Sequence, residues 1–247
     1  MKKRKHMLYP TLCLVVLLSG CSSNNSQDPP PIVNSPSTNL DPVAGDSLRV
    51  LDSEILPNGE SAIRVLFLGD SITAGLGVGQ EEAFPNLIKQ KALKEGMNAV
   101  FIDAGVSGDT STGGLNRIDW LLKSRIDVLI LELGGNDGLR GVDLALTKEN
   151  LSNIISKTKE AWPGVHVIVA GMQVPPNLGH EYTDQFKSIF PSIAAETGAT
   201  LIPFILEGVG GVRELNQPDG IHPTAKGHLI VAETVWKALQ PILRDKL

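Results

Sequence analysis

The chain has 247 residues, 42% apolar and 4% aromatic, which is an ordinary globular composition with an aliphatic core. Its formal charge is −5, but four of its 22 basic residues, Lys2, Lys3, Arg4 and Lys5, crowd the N-terminus; without them 18 face 27 acidic residues, a charge of −9. An acidic body with no basic stripe argues against nucleic acid as partner, and two cysteines, both within the first 21 residues, exclude a disulfide framework from the rest.

The basic cluster leads into an apolar stretch, Met7 to Leu18, and then Ser19-Gly20-Cys21. Twelve residues at about 1.5 Å each cannot cross a hydrocarbon core of about 30 Å, so residues 1–20 read as a secretory signal. Leu18-Ser19-Gly20-Cys21 resembles the lipobox of bacterial lipoproteins, which implies cleavage before Cys21, lipid on its thiol and anchoring to a membrane through that residue. An ordinary signal peptide with an incidental cysteine is the alternative. Ser22 and Ser23 stand where inner-membrane lipoproteins typically carry aspartate, so the expected destination is the outer membrane if the source has one. Residues 21–48 are rich in Ser, Asn, Pro and Asp; they bury too little to offset chain entropy and read as a disordered tether. Residues 49–247 read as one domain without internal repeats.

Within that domain the apolar pattern alternates between two periods. The first strand, 64–69, stops abruptly at Gly69-Asp70-Ser71, which predicts a buried strand delivering Ser71 to the start of a helix. Helical spacing follows in Phe84, Leu87, Ile88, Ala92 and Leu93 before Gly96, then a strand at 99–104 and a helix through Leu115, Ile118, Leu121 and Leu122. After a strand at 127–133, Thr147 is the expected cap of a helix carrying Leu151, Ile154, Ile155 and Thr158. Strands at 165–171 and 200–204 bracket a helix near 182–197, and a last helix covers 224–241 with Pro223 opening it. Strands alternating with helices predict parallel strands joined by crossovers, a three-layer α/β/α sandwich. Ligands bind such a sheet beyond the carboxyl ends of its strands, and the polar, glycine-rich segments fall there. One of them, Gly75-Leu76-Gly77-Val78-Gly79, has G-x-G-x-G spacing but neither the dinucleotide nor the P-loop pattern.

A reactive serine needs a base, a group that orients the base, and donors for an oxyanion. His166, in a strand, and His228, in the last helix, read as structural or solvated, and His180 reads as a loop residue near the site with Glu181 and Asp184 beside it. His222 follows Asp219 by three residues in a compact turn, where the carboxylate can accept from Nδ1 and leave Nε2 for the serine proton. The same residues alone would also make a plain Asp-Gly turn with a solvated histidine. Ser71 and Gly108 offer backbone N–H groups and Asn136 a side-chain amide as oxyanion donors; Asp70 and Asp137 beside them read as turn and supporting groups.

Gly69-Asp70-Ser71, Gly108, Gly134-x-Asn136-Asp137 and Asp219-x-x-His222 resemble, in order, the four blocks of the SGNH hydrolases, the GDSL esterase/lipase family. SGDTSTGGL, LELGGNDGLRG and DGIHP are especially similar to its bacterial thioesterase/lysophospholipase/arylesterase group. The resemblance implies the SGNH hydrolase fold, with a five-stranded parallel sheet in flavodoxin-like order. It implies Ser71 as nucleophile, His222 as base, Asp219 as its acid, and an oxyanion hole of Ser71, Gly108 and Asn136. The implied activity is hydrolysis of acyl esters through an acyl-enzyme, with no cofactor and no metal. Aryl esters, short-to-medium acyl esters, lysophospholipids and thioesters are the substrate classes; acyl-CoA is cytoplasmic, so export favours the oxygen esters. Ile72, Leu76, Leu139, Val174, Pro175 and Leu178 adjoin the site in sequence and are the candidates to line an acyl groove. A polysaccharide or cell-envelope O-acetyl esterase would use the same triad. A ligand-binding protein on an inactive hydrolase fold is the non-enzyme alternative, against which the intact Ser71, Asn136, Asp219 and His222 argue.

Overall fold

Continuous apolar runs, not alternating ones, mark the central strands. A computed structural model describes residues 62–246; the signal, the tether and residues 49–61 of the expected domain lie outside the described residues. The strands are β1 (Ile63–Gly69), β2 (Ala99–Gly105), β3 (Val128–Glu132), β4 (His166–Ala170) and β5 (Thr200–Ile202). They form one parallel sheet in the order β2-β1-β3-β4-β5. Val65 to Leu68 and Val128 to Leu131 are all buried, because strands covered by helices on both faces have no solvent side for polar residues.

Among the described residues the α-helices are α1 (Phe84–Lys94), α2 (Ser111–Leu121), α3 (Gly135–Arg140), α4 (Leu144–Ala161), α5 (His180–Thr197) and α6 (Ala225–Lys246). α1 packs with α6, while α2 packs with α4 and α4 with α5, giving a layer on each side of the sheet. The chain winds outward from β1 to β2 and then returns to the other side of β1 at β3. That reversal opens a crevice at the carboxyl ends of β1 and β3, where an open α/β sheet binds its ligand.

Three local expectations are corrected. Ser71 does not open a helix: Gly75 (φ 68°) and Gly77 (φ 81°) hold the following segment in turns, and α1 begins only at Phe84. Thr147 is not a cap but lies inside α4. Asp143 caps that helix by accepting from the Ala145 and Leu146 N–H groups, and Thr147 Oγ1 donates back to the Asp143 carbonyl. Pro223 pairs with Asn216 in a short antiparallel bridge instead of opening α6, and Thr224 Oγ1 accepts from the Gly227 N–H at the helix start. α3 was not expected, since six residues containing two glycines show no apolar period.

His228 is structural, with 1% of its surface exposed. Its Nδ1 accepts from the Phe84 N–H at 3.3 Å, and its ring stacks on Phe84 with centroids 6.4 Å apart. Burial drives its pKa down to about 4; the charge of Glu82 pulls it up and that of His222 pushes it further down. Because the unfolded chain then protonates first, the stability from this residue is complete above pH 6.5 and lost as pH falls toward 4. The loss reaches about 3 kcal/mol at roughly 1.4 kcal/mol per unit. In urea titrations from pH 7 to 4, the unfolding free energy of the wild type relative to His228→Gln should fall by about this amount, the difference between the two isolating this residue's share.

Candidate active site

The last residue of β1 has no space for a side chain: a Cβ on Gly69 would sit 1.9 Å from Thr73 Oγ1 and 2.7 Å from Glu132 Oε2. The turn that follows presents Ser71. Gly105 ends β2 against the same turn, and its Cβ would lie 2.3 Å from the Ala74 nitrogen. Arg117 on α2 secures both strand ends, donating to the Gly69 carbonyl at 3.0 Å and the Ala104 carbonyl at 2.7 Å. Its Nε donates to Asp109 Oδ2 at 2.8 Å and so fixes the loop that carries Gly108.

Ser71 Oγ donates to His222 Nε2 at 2.8 Å, across 151 residues of chain. His222 Nδ1 donates to Asp219 Oδ2 at 2.7 Å, while Asp219 Oδ1 accepts the N–H groups of Ile221 at 3.0 Å and His222 at 3.1 Å. With the ring proton held at Nδ1 by the carboxylate, Nε2 is the acceptor. Desolvation pushes Asp219 upward, but the bond from His222 and the two backbone N–H groups outweigh it and hold the pKa at about 2. Asp219 is therefore an anion at neutral pH.

Three N–H groups at the carboxyl edge of the sheet retain donor capacity. Among the described residues the backbone N–H groups of Ser71 and Gly108 have no protein acceptor. Asn136 Nδ2 gives one hydrogen to Asp70 Oδ2 at 3.1 Å, which leaves the other for a ligand. Asn136 Oδ1 accepts from Arg140 Nη2 at 3.4 Å, and a Cβ on Gly108 (φ 80°) would lie 3.4 Å from the same Nη2. The three donors thus come from the segments after β1, β2 and β3.

Two buried acids stand behind the serine. Burial raises the Asp70 pKa, opposed by the Ile72 N–H, the charge of His222 and hydrogen bonds with Asn136 and Glu132. Glu132, 1% exposed, is raised well above the carboxylate range by burial first and then by the charge of Asp70. Its Oε2 accepts from Thr73 Oγ1 at 2.7 Å and the Asp70 N–H at 3.3 Å, and its Oε1 has no partner among the described residues. A proton on Glu132 removes the cost of an unpaired anionic oxygen in that place. Asp137, also buried, is bonded by the Ser111 N–H at 2.8 Å and Ser111 Oγ at 2.5 Å and joins α3 to α2.

A cavity of about 380 Å³ opens beside Ser71, Asn136 and His222. Of the six residues expected to line a groove, Ile72, Leu139, Val174 and Pro175 do so, joined by Met172, Phe204 and Leu206. Leu76 and Leu178 do not line it. Leu76 is 44% exposed on the turn after Ser71, and Leu178 is 42% exposed on the short 3-10 turn Pro176–Leu178. Adjacency in sequence does not set the direction of a side chain. His180 opens α5 and His166 opens β4, both exposed and outside the cavity lining. Glu132, Arg117 and Gln217 were missed as parts of the site; for Glu132 the signal was an acid inside the apolar run LILEL.

Serine, histidine and aspartate bonded in series beside free N–H donors, at the carboxyl edge of a parallel sheet, define an α/β/α serine hydrolase. The sequence matches the model of the GDSL-like Lipase/Acylhydrolase family over residues 67–230, and the chain belongs to that family. It is 38% identical over 190 residues to Esterase TesA of Pseudomonas aeruginosa, which covers 76% of this chain and 94% of the relative. To thioesterase 1/protease 1/lysophospholipase L1 of Escherichia coli it is 35% identical over 184 residues, 74% of this chain and 86% of the relative. The crystal structure of TesA matches with a TM-score of 0.70 at 39% identity, covering 72% of this chain and 99% of that one. The sheet order is the SGNH hydrolase order, and the chemistry is acyl-ester hydrolysis.

The raised pKa of Glu132 makes a prediction with a definite sign. A carboxyl whose folded pKa is raised contributes stability that is complete below pH 4.5 and declines as pH rises through the interval up to its folded pKa. Glu132→Gln, an uncharged isostere, should remove that decline: its unfolding free energy at pH 8 should exceed that of the wild type, whereas at pH 4 the two should match within about 1 kcal/mol.

Proposed function

We propose that Ser71 Oγ attacks the carbonyl carbon of an acyl ester while His222 Nε2 takes its proton and Asp219 stabilises the resulting imidazolium. The carbonyl oxygen, now anionic, receives hydrogen bonds from the Ser71 N–H, the Gly108 N–H and Asn136 Nδ2. Collapse of this intermediate breaks the ester C–O bond, and His222 gives its proton to the departing alcohol. Water then attacks the acyl group on Ser71, His222 takes a proton from it, and the second collapse releases the carboxylic acid and restores the Ser71 hydroxyl. The observation that carries this reading is the unbroken series Ser71–His222–Asp219 at 2.8 Å and 2.7 Å beside uncommitted N–H donors.

The preferred substrate class is an oxygen ester of an apolar acyl chain, such as an aryl ester or a lysophospholipid. The cavity supports it: Ile72, Leu139, Val174, Pro175 and Leu206 offer an apolar wall long enough for several methylenes, each contributing about 0.8 kcal/mol when buried. The relatives' names, an esterase and a thioesterase/lysophospholipase, agree with it. An O-acetyl esterase acting on polysaccharide or cell envelope would leave most of that wall unused. Export and anchoring through a lipid on Cys21 complete the proposal; they rest on the lipobox-like sequence alone.

Full-length protein in detergent should be labelled by a fluorophosphonate probe and should hydrolyse p-nitrophenyl esters with an optimum beyond acetate. Ser71→Ala should abolish both, and Asn136→Ala should lower kcat by roughly 10² to 10³. A folded protein that takes no label would sink the mechanism, and an acetate optimum would favour the O-acetyl esterase. Cells fed radiolabelled palmitate should yield labelled protein from the wild type and none from Cys21→Ser; label in neither would remove the lipid anchor.

A further inference from the structure

Gln217 has no step in the chemistry proposed above, yet its side chain reaches from the turn of the base to the turn of the nucleophile. Its Nε2 donates to the Leu76 carbonyl at 2.6 Å, across 141 residues, and to the Pro223 carbonyl at 3.0 Å. Its backbone N–H donates to the His222 carbonyl at 2.7 Å, and the Leu76 N–H donates to the Ser71 carbonyl at 2.9 Å. One amide therefore connects the residue after the base with the turn that begins at the nucleophile. The neighbouring Asn216 secures the same segment on its other side, donating from Nδ2 to the carbonyls of Val209 at 2.6 Å and Val212 at 2.8 Å.

Gly77 shows that this space is kept for the amide. It has φ 81°, and a Cβ there would lie 2.2 Å from Gln217 Oε1. The G-x-G-x-G run, whose spacing is not that of a phosphate-binding loop, thus has a different use: its middle glycine makes room for Gln217.

Among the described hydrogen bonds, two join the nucleophile's turn (70–78) to the base's turn (217–223): Ser71 to His222, and Gln217 to Leu76. The first is absent in part of the catalytic cycle, because an acylated Ser71 Oγ has no hydrogen to donate. The second involves no reacting atom. We infer that Gln217 is a positioning residue that keeps His222 in register with Ser71 while the acyl-enzyme awaits water. This inference rests on the proposed acyl-enzyme mechanism. It predicts an asymmetry: loss of the amide should slow deacylation, when it alone links the turns, more than acylation, when Ser71 still holds His222.

The test uses full-length protein in detergent and the variants Gln217→Met, which keeps length without a donor, and Gln217→Ala. Both should be labelled by fluorophosphonate to the wild-type end point. Steady-state kcat per labelled site should fall about 10- to 100-fold, as expected for a small misplacement of a reacting group. A stoichiometric burst of p-nitrophenol should precede the slow phase. Unchanged kcat per labelled site overturns the inference, as does a slower rate without a burst or a loss of labelled sites that accounts for all lost activity. Absence of Ser71-dependent labelling in the wild type is a separate failure, that of the hydrolase mechanism on which the inference rests.

Discussion

In the parallel ladder of the central strands, Gly105, Gly69 and Glu132 stand in register at the ends of β2, β1 and β3. Parallel strands that end in register release their next residues on one edge, so Ser71, Gly108 and Asn136 emerge side by side although they lie far apart in sequence. The same register explains the crowding. Gly69 lacks a side chain because Thr73 and the Glu132 carboxyl occupy that space, and Gly105 lacks one because the nucleophile's turn folds back over it. Arg117 then bonds the Gly69 carbonyl at the end of β1, which also accepts the Val106 N–H, and the Ala104 carbonyl one residue before the end of β2.

Four acids serve this edge under different electrostatic conditions. Asp219, in a largely exposed turn with three donors, is held far below neutrality and can stabilise a positive imidazole. Glu132, enclosed and next to another carboxyl, has its pKa raised and accepts from Thr73 Oγ1 and the Asp70 N–H. Asp70 lies between these cases. It takes the Ile72 N–H on one oxygen and the Asn136 amide on the other, turning the amide so that its second hydrogen is available. Asp137 is buried outright and compensated by Ser111 and Thr147, which ties the Asn136 helix to the scaffold. The Asn136 amide is thereby fixed in orientation by the scaffold, the condition under which a dipole can stabilise charge that develops beside it.

The base reaches the site from the far end of the chain, on a long connection between β5 and α6. Within that connection the Asp219–His222 pair is assembled locally, because three residues of turn suffice to bring carboxylate and ring together. Placing the pair against Ser71 requires separate contacts: the bridge of Asn216 to Pro223 and the reach of Gln217 to Leu76. Phe204 and Leu206 of the same connection line the cavity together with Val174 and Pro175 after β4. Part of the cavity lining and the Asp219–His222 pair are consequently carried on one continuous segment.

The amino-acid sequence determined the features that depend on short range or on unusual composition. Apolar runs of strand length showed five strands, since doubly covered strands have no polar face to interrupt them. Asp219 and His222 were legible because their bond closes within a turn, and Ser71, Gly108 and Asn136 because small or amide residues follow strands where a parallel sheet must bind. Tertiary structure alone decided what depends on side-chain direction across long separations. It turned Leu76 and Leu178 away from the cavity, admitted Phe204 and Leu206 to it, placed Arg117 under two strand ends and brought Gln217 to the nucleophile's turn. Neither period nor spacing encodes such contacts, because the partner of each group is set by the register of strands and the course of loops, and those follow from the packing of the whole domain.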